Sequence, residues 1–566
     1  MDAQALHDAG RARPDRNLAA LALLPLVLLA LDSDWIFSGP HRDAWIYYGY
    51  FENGIAYLRS FPDLYYASRL AVILPGFVLQ HLLPGVAANV LLHLAVYWSA
   101  VLSFYLVVRD LFGSRVALLA GLALGCHPYF LQAAGWNYVD GFGIAYFLMA
   151  LMFLTRAMAS PISPSWRPLL LAAGAMVTAI VSTNVFYAAV YMPLLAGHFL
   201  LLNRRRIPLL AATLWAVAGA AGLLALFEIA FRAAGGSSFY LSSSLQFLSG
   251  SVGTANPFRN PSYTWLRVAV WLVFPAATLL GTIFLLGRKD RILLWSQLQL
   301  VLLASMMLYF QIFGDTGVLQ NFYYSSLLLP AAFLAFAGQL APLVEGLPLR
   351  RFGALAAGLA LIQIFPLLAP KIAVLASAPA LFALLAALGA VSGAILAARW
   401  RTGGARAVIV VFLCLAVSQL LVRQAGSIFW QFERHEWDGH GLYSQMDHAV
   451  RAIDAFDSSR ALRLWYDDGA EDGLVYDALA SAFLLCPRMV NFNFPDLQTP
   501  RMCDGVHLVP GMQIAVLSAD PSAFEKAAAA LRAIGLSSRR LKREEIPGPS
   551  RGFAITYLRC EAWVTP

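Results

Sequence analysis

Charge is scarce in this chain. Asp, Glu, Lys and Arg supply 13% of its 566 residues, whereas soluble proteins carry about 25%. So little charge excludes an ordinary soluble enzyme and a charge-rich disordered chain alike. Cysteine is also scarce: the five present include no pair at metal-type spacing. No Gly-rich phosphate loop and no basic-aromatic RNA motif occurs, so nucleic acid is not an expected partner. Nor is there a dense carboxylate cage of the kind that holds hard cations. The sequence therefore calls for no metal and no cofactor.

What fills the chain instead is apolar: 60% of residues are hydrophobic, gathered in runs such as "NLAALALLPLVLLAL" and "VAVWLVFPAATLLGTIFLLG". Runs of about 20 apolar residues cross a bilayer as helices. About thirteen spans are expected on that criterion, near 17–33, 86–108, 115–133, 141–157, 168–184, 186–202, 207–230, 266–287, 292–313, 323–341, 352–370, 373–398 and 405–425. The piece 70–84 is apolar but short and holds Pro75 and Pro84, which suits a re-entrant or interfacial helix. The first run lacks a small-x-small cleavage site and reads as a membrane segment rather than a signal peptide.

The net charge of +8 reads as topology rather than as a nucleic-acid surface. Arg11, Arg13 and Arg16, then Arg109 and Arg115, Arg156 and Arg167, "NRRR" at 203–206, "RKDR" at 288–291, Arg350 and Arg351, and Arg399, Arg401 and Arg406 occupy alternate loops. Positive-inside reasoning makes those loops and the N-terminus cytoplasmic. The outer loop 34–70 and everything after about 426 then face the outside. Within 427–566 the pattern changes to strand-like "ALRLWYDDG", "MQIAVLSADP" and "GFAITYLRC" alternating with helix-like "VYDALASAFLL" and "SAFEKAAAALRAIGL". The expected organisation is a membrane domain over 1–426 and a small extracytoplasmic α/β domain over 427–566. Cys486 and Cys503 form a disulfide there or remain thiols; the sequence supports both.

Against this background one loop is rich in ionisable groups: "SGPHRDAWIYYGYFENGIAYLRSFPDLYYASRL", Ser38 to Leu70. Trp45, Tyr48, Ile55 and Leu58 recur at helical spacing, so an amphipathic helix on the membrane surface is expected. Asp43 stands at its start, where a carboxylate also suits the helix dipole.

A first membrane helix, an outer loop with an acid before an aromatic amphipathic helix, and a Ser-Arg-Leu entry to the next segment resemble the glycosyltransferase C fold. Its relatives include the protein mannosyltransferases that use dolichyl-phosphate-mannose and the transferase that adds aminoarabinose to lipid A. The common form of the motif is Asp-Glu, whereas here Ala44 follows Asp43. The resemblance places a catalytic carboxylate at Asp43, with Asp34 and Asp32 as alternatives. It places a second acid in the next outer loop, where "HPYFLQAAGWNYVDGFGIAYFL" puts Asp140 at a helix mouth. "GDTGVLQNFYYSSLLLPAAFLAF" is similar to the late helix near the lipid-phosphate site, with Tyr323 and Tyr324 at its start.

The chemistry implied is transfer of a sugar from a polyprenyl-phosphate carrier to a lipid, polysaccharide or protein outside the cytoplasmic membrane. The enzyme would be a hexosyl- or pentosyltransferase. A carboxylate takes the acceptor's proton, attack opposite the phosphate inverts the anomeric centre, and cations stabilise the leaving phosphate. Arg42, Arg69, Arg259 and Lys371 are the outward cations, Arg69 first because it opens a membrane-entering segment. His127 either contacts substrate or caps a helix. Tyr323 and Tyr324 either line the carrier site or belong to the aromatic belt. The loop 231–265 is a lid or a plain connection. A transporter or flippase is the rival class, although midplane ionisable groups and two similar halves are lacking. A non-catalytic scaffold is the third.

Overall fold

The computed structural model describes residues 15–60, 62–159, 166–203, 207–251, 290–313, 326–344, 346–368, 439–456, 462–466, 473–483, 491–493, 508–549 and 551–563. The chain begins with α1 (Arg16–Leu31), capped by the Asp15 carboxylate, which accepts from the Asn17 and Leu18 amides. A 3-10 turn at Asp34–Ile36 leads into α2 (Arg42–Ser60). A second such turn at Tyr65–Ser68 leads into α3 (Leu70–Leu82). Then follow α4 (Gly85–Phe112), α5 (Ser114–Gly125), α6 (Pro128–Gly135), α7 (Val139–Ala159), α8 (Trp166–Val181), α9 (Val185–Leu202) and α10 (Leu209–Ala233). α11 (Ser242–Ser251), α12 (Arg291–Phe313), α13 (Leu329–Val344) and α14 (Leu349–Leu368) complete the helical body as described.

Five of these helices, α4, α7, α9, α10 and α12, are long and apolar enough to cross a membrane. α1, α3, α8 and part of α13 are apolar but shorter. The run expected as one span over 115–133 is instead two helices, α5 and α6, bent by 69°. Pro128 explains the break: it lacks an amide donor and stands at the first position of α6. The expected spans near 266–287, 373–398 and 405–425 lie outside the described residues.

α7 is mostly buried at the centre, whereas α10 exposes Leu209, Leu210, Leu214, Val217, Leu226 and Ile229. An apolar face of that size suits lipid rather than water. α8 and α10 approach closely through Gly174 and Gly219. A Cβ on either would run into a backbone carbonyl of the other helix, at Ala216 and Leu171 respectively.

Ion pairs mark one end of the bundle. Arg109 at the end of α4 bonds Asp110 at 3.0 Å and Asp15 at 3.4 Å, and Arg156 at the end of α7 reaches Asp110 at 3.7 Å. Asp34, Asp43 and Asp140 belong to the opposite end, where α1 finishes and α4 and α7 begin.

The tail contains α15 (Gly439–Ala455), β1 (Leu462–Tyr466), α16 (Gly473–Ala482), β2 (Asn491–Asn493), β3 (Gln513–Ser518), α17 (Ala523–Ala533), β4 (Leu536–Ile546) and β5 (Phe553–Ala562). The strands make one sheet in the order β2-β1-β3-β5-β4. β1 runs parallel to β2 and β3, and β5 runs antiparallel to β3 and β4. α17 covers one face, on Trp465, Ile514, Val516 and Leu558. The other face, with Tyr466, Leu517, Ile555 and Tyr557, is continuous with the core of the helical body. β4, "LSSRRLKREEI", has too little apolar alternation to read as a strand. It lies at the sheet edge, where charged side chains discourage pairing with another chain.

α2 departs from the surface helix its periodicity suggests. Residues 44–51 are all buried. The helix is covered by α3 on one side and by α16 of the tail on another, so its aromatic side chains meet protein on several sides. One-sided amphipathicity reports a lipid surface only when nothing else covers the second face.

Candidate active site

Three charged groups from separate segments meet at the acidic end of the bundle. Asp43, in the first turn of α2, is half-buried and accepts a hydrogen bond from the Tyr66 hydroxyl at 3.0 Å. Tyr66 is delivered by the 3-10 turn that also carries Ser68 and ends at Arg69. Arg69 is only 6% exposed. Its guanidinium donates to the Tyr47 hydroxyl and lies 4.7–5.9 Å from the ring centres of Tyr65, Tyr66, Tyr47 and Tyr138. Stacked cations at such distances are attracted by the ring quadrupoles. Arg69 is therefore enclosed by rings, and differs from an interfacial anchor reaching out to lipid.

Asp140 opens α7 and is fully buried. The Tyr187 hydroxyl donates to its Oδ1 at 2.7 Å and the Trp136 indole to its Oδ2 at 3.1 Å. Both Arg69 and Asp43 lie within electrostatic reach of it. A buried carboxylate survives because donors satisfy it. The segment before it is fixed as well. The Asn137 backbone amide donates to the Ser38 hydroxyl at 2.8 Å, and the Asn137 side-chain oxygen meets His93 Nε2 at 2.9 Å.

The turn holding His41 joins the two acid-bearing segments. The His41 ring meets Trp136 edge-on, with centroids 5.0 Å apart. Burial pushes its pKa below the usual histidine range, and the Asp43 carboxylate opposes part of that shift. Burial also pushes the phenols of Tyr47 and Tyr66 upward, so both remain protonated, Tyr66 donating to Asp43 and Tyr47 accepting from Arg69.

The remaining candidates separate from this group. Asp34 is exposed, and its carboxylate accepts from the Gly439 amide of the tail at 3.1 Å. That bond ties it to the start of α15. Arg42 is exposed beside Asp43. His127 stands at the N-cap position of α6, but its side chain makes no capping bond; the ring stacks on Tyr129 and meets Phe333 edge-on. Arg259, Lys371, Tyr323, Tyr324, Cys486 and Cys503 lie outside the described residues. Among the described residues, no group of three or more His, Cys, Asp or Glu is arranged to hold a metal.

Sequence reasoning missed Tyr66, Trp136, Tyr187 and His41. Tyr66 and Tyr187 are donors to carboxylates distant in sequence, and Trp136 donates to a carboxylate one helical turn on; in a chain with 13% aromatics none of them stands out.

Comparison with known proteins finds one family model over part of the chain and solved structures of similar fold. The family described as dolichyl-phosphate-mannose-protein mannosyltransferase matches residues 83–231. The structure of ArnT from Cupriavidus metallidurans bound to undecaprenyl phosphate superposes with a TM-score of 0.52 at 16% identity, covering 95% of this chain and 97% of that one. The apo form of that protein gives 0.46 at 16% identity, over 95% and 98%. The Archaeoglobus fulgidus oligosaccharyltransferase gives 0.33 at 17% identity, over 61% and 53%. No curated protein matches the chain. Near-complete coverage of the undecaprenyl-phosphate-bound structure shows that this helical membrane chain shares the fold of that protein.

Proposed function

We propose that this chain is a membrane glycosyltransferase that moves a hexose- or pentose-type sugar from a polyprenyl-phosphate carrier to an acceptor outside the cytoplasmic membrane. The acceptor is a lipid, a polysaccharide or a protein. One observation carries the reading: Asp43, Arg69 and Asp140, from three segments, converge at the end of the bundle opposite the arginine-paired end. With the N-terminus cytoplasmic, as the distribution of Arg and Lys supports, that site and the tail face outward.

Asp43 is the general base. Tyr66 holds Oδ1, and the half-buried carboxylate keeps a face open for an acceptor hydroxyl. As that hydroxyl attacks the anomeric carbon, its proton passes to Asp43, and the bond from sugar to phosphate breaks on the opposite side with inversion. The leaving phosphate gains charge, which Arg69 and the outward Arg42 offset, together with Arg259 and Lys371. Asp140 is held too firmly for proton exchange with a bulky acceptor; it balances Arg69 and fixes Trp136 beneath the site. The undecaprenyl phosphate in the ArnT structure supports the choice of carrier.

The test uses purified protein in detergent with a polyprenyl-phosphate sugar, a soluble nucleotide-sugar, and envelope lipids and glycans as acceptors. Transfer from the lipid-linked donor, undiminished by a chelator, is the expected result. Transfer from the nucleotide-sugar alone, or strict metal dependence, overturns the site.

A further inference from the structure

The tail meets the site through α15 and α16, and Tyr443 is where those contacts converge. It is almost completely buried. Its ring lies 5.5 Å from Phe37, before Asp43, and 5.4 Å from Trp45 and 6.0 Å from Tyr48, both within two turns after it. Tyr443 also faces the Asn137 side chain, three residues before Asp140. One tail residue thus packs on the Asp43 segment and lies near the Asp140 segment.

The surrounding contacts hold α15 against α2. Arg451 donates to Glu52 Oε1 at 2.6 Å and to Asp447 Oδ1 at 3.1 Å. The Tyr48 hydroxyl bonds Asp447 and, at 3.1 Å, Glu52. On the next turn the Tyr57 hydroxyl donates to the Ala482 carbonyl at 2.6 Å. Gly49 lets the backbones close there, because a Cβ at that position would collide with the same carbonyl. α2 needs such support: Asn53 leaves helical geometry at φ −122° and ψ 26°, so the helix is kinked beside Glu52.

We infer that the tail completes the active site, with Tyr443 a positioning residue that sets Asp43 against Asp140 by packing on Trp45 while facing the Asn137 turn. This rests on the glycosyl-transfer reading for its consequence in catalysis, but the placement of the two segments is a property of the fold. Tyr443 touches no reacting atom. It acts through the angle at which α2 presents Asp43, and an error of about 1 Å in such a group costs up to about 100-fold in rate.

The experiment compares full-length wild type with Tyr443→Ala, Tyr443→Phe and the remote surface variant Lys526→Ala. It measures kcat and donor KM with a polyprenyl-phosphate sugar, and amide hydrogen exchange over 42–48 and 136–140. The expected result for Tyr443→Ala is a kcat lower by about 10- to 100-fold with donor KM changed by less than about twofold, and faster exchange in both segments. Tyr443→Phe, which keeps the ring, returns kcat to within about threefold of wild type, and Lys526→Ala leaves kcat unchanged. Wild-type kcat and wild-type exchange in Tyr443→Ala overturn the inference, as does a loss confined to KM. If Tyr443→Ala fails to fold, Arg451→Met at the exposed edge takes its place, with about a 3- to 10-fold loss of kcat expected. If wild type transfers no sugar from the lipid-linked donor, the proposed activity falls, and exchange over the two segments alone decides whether the tail holds them.

Discussion

Asp43 is half-buried at the start of α2 and accepts one bond, from Tyr66; Asp140 is fully buried at the start of the central helix α7 and accepts two, from Tyr187 and Trp136. The same carboxylate is thus built into two different devices. A general base must offer an oxygen to an incoming hydroxyl and tolerate both charge states. Asp43, half-buried and holding one bond, fits that requirement on the proposed reading. Asp140 has both oxygens committed within the protein, and moving a proton there would mean rearranging its donors. The pair teaches that accessibility separates chemistry from support where sequence alone sees two acids at two helix mouths.

The sharpest way to break that comparison is Asp43→Asn. Transfer should fall by at least about 100-fold, the low end for a lost acid-base group, while thermal unfolding in detergent stays close to wild type. Near-normal turnover would remove Asp43 from the mechanism and shift the role to Asp34 or Asp140. The converse is Asp140→Ala, which orphans the Tyr187 and Trp136 donors. A buried donor left without an acceptor costs about 1–3 kcal/mol, so the midpoint of unfolding should drop where the corresponding Asp43→Ala change hardly moves it. Equal stability losses at the two positions would dissolve the distinction.

Smaller changes sharpen it. Arg69→Ala removes a cation from the tyrosine enclosure and should lower transfer at least about tenfold through lost stabilisation of the leaving phosphate. Arg69→Lys should recover only part, since an ammonium cannot reproduce a planar stacked guanidinium. Full activity of Arg69→Ala in a donor titration would confine that residue to structure. Tyr66→Phe deletes the bond to Asp43 but leaves a carboxylate that water can still solvate, so about a 3- to 10-fold loss is expected. A loss as large as that of Asp43→Asn would make Tyr66 a participant in proton transfer.

Much of this was legible because hydrophobic runs and isolated charges are strong local signals. "RDAWIYYGYF" and "NYVDGFG" marked Asp43 and Asp140, and Ser-Arg-Leu marked Arg69, in a chain where every charge stands out. The strand Gln513–Ser518 lies within the apolar run "MQIAVLSADP". What escaped depends on contacts between distant segments. Nothing near Tyr187 or Tyr443 in the sequence says that each reaches an acid-bearing segment 47 residues away in one case and in a separate part of the chain in the other. The burial of α2 escaped for the same reason: periodicity shows that a face is apolar, and only the docked tail shows what covers it. β4 escaped because an edge strand is selected for charge rather than alternation.

The smallest effect tests the Asp43 side by pH. His41 lies between the two acids, with its pKa held below the usual range by burial and with Asp43 opposing part of that shift. The unfolded chain takes up a proton on this residue near pH 6.5, whereas the folded chain resists until the pH is lower. Over that window the unfolded state binds more protons, so stability falls as the pH drops below about 6.5 and is fully present above it. Removing the group should flatten the dependence: His41→Gln should lose less of its unfolding midpoint between pH 7.5 and 5.5 than wild type does. The same variant should leave the stability penalty of Asp140→Ala unaltered at pH 7.5, because neutral His41 touches the Trp136 ring rather than the carboxylate. Identical pH slopes for wild type and His41→Gln would mean that the histidine titrates as if in water, and that the turn between the two acids is more open than its packing on Trp136 implies.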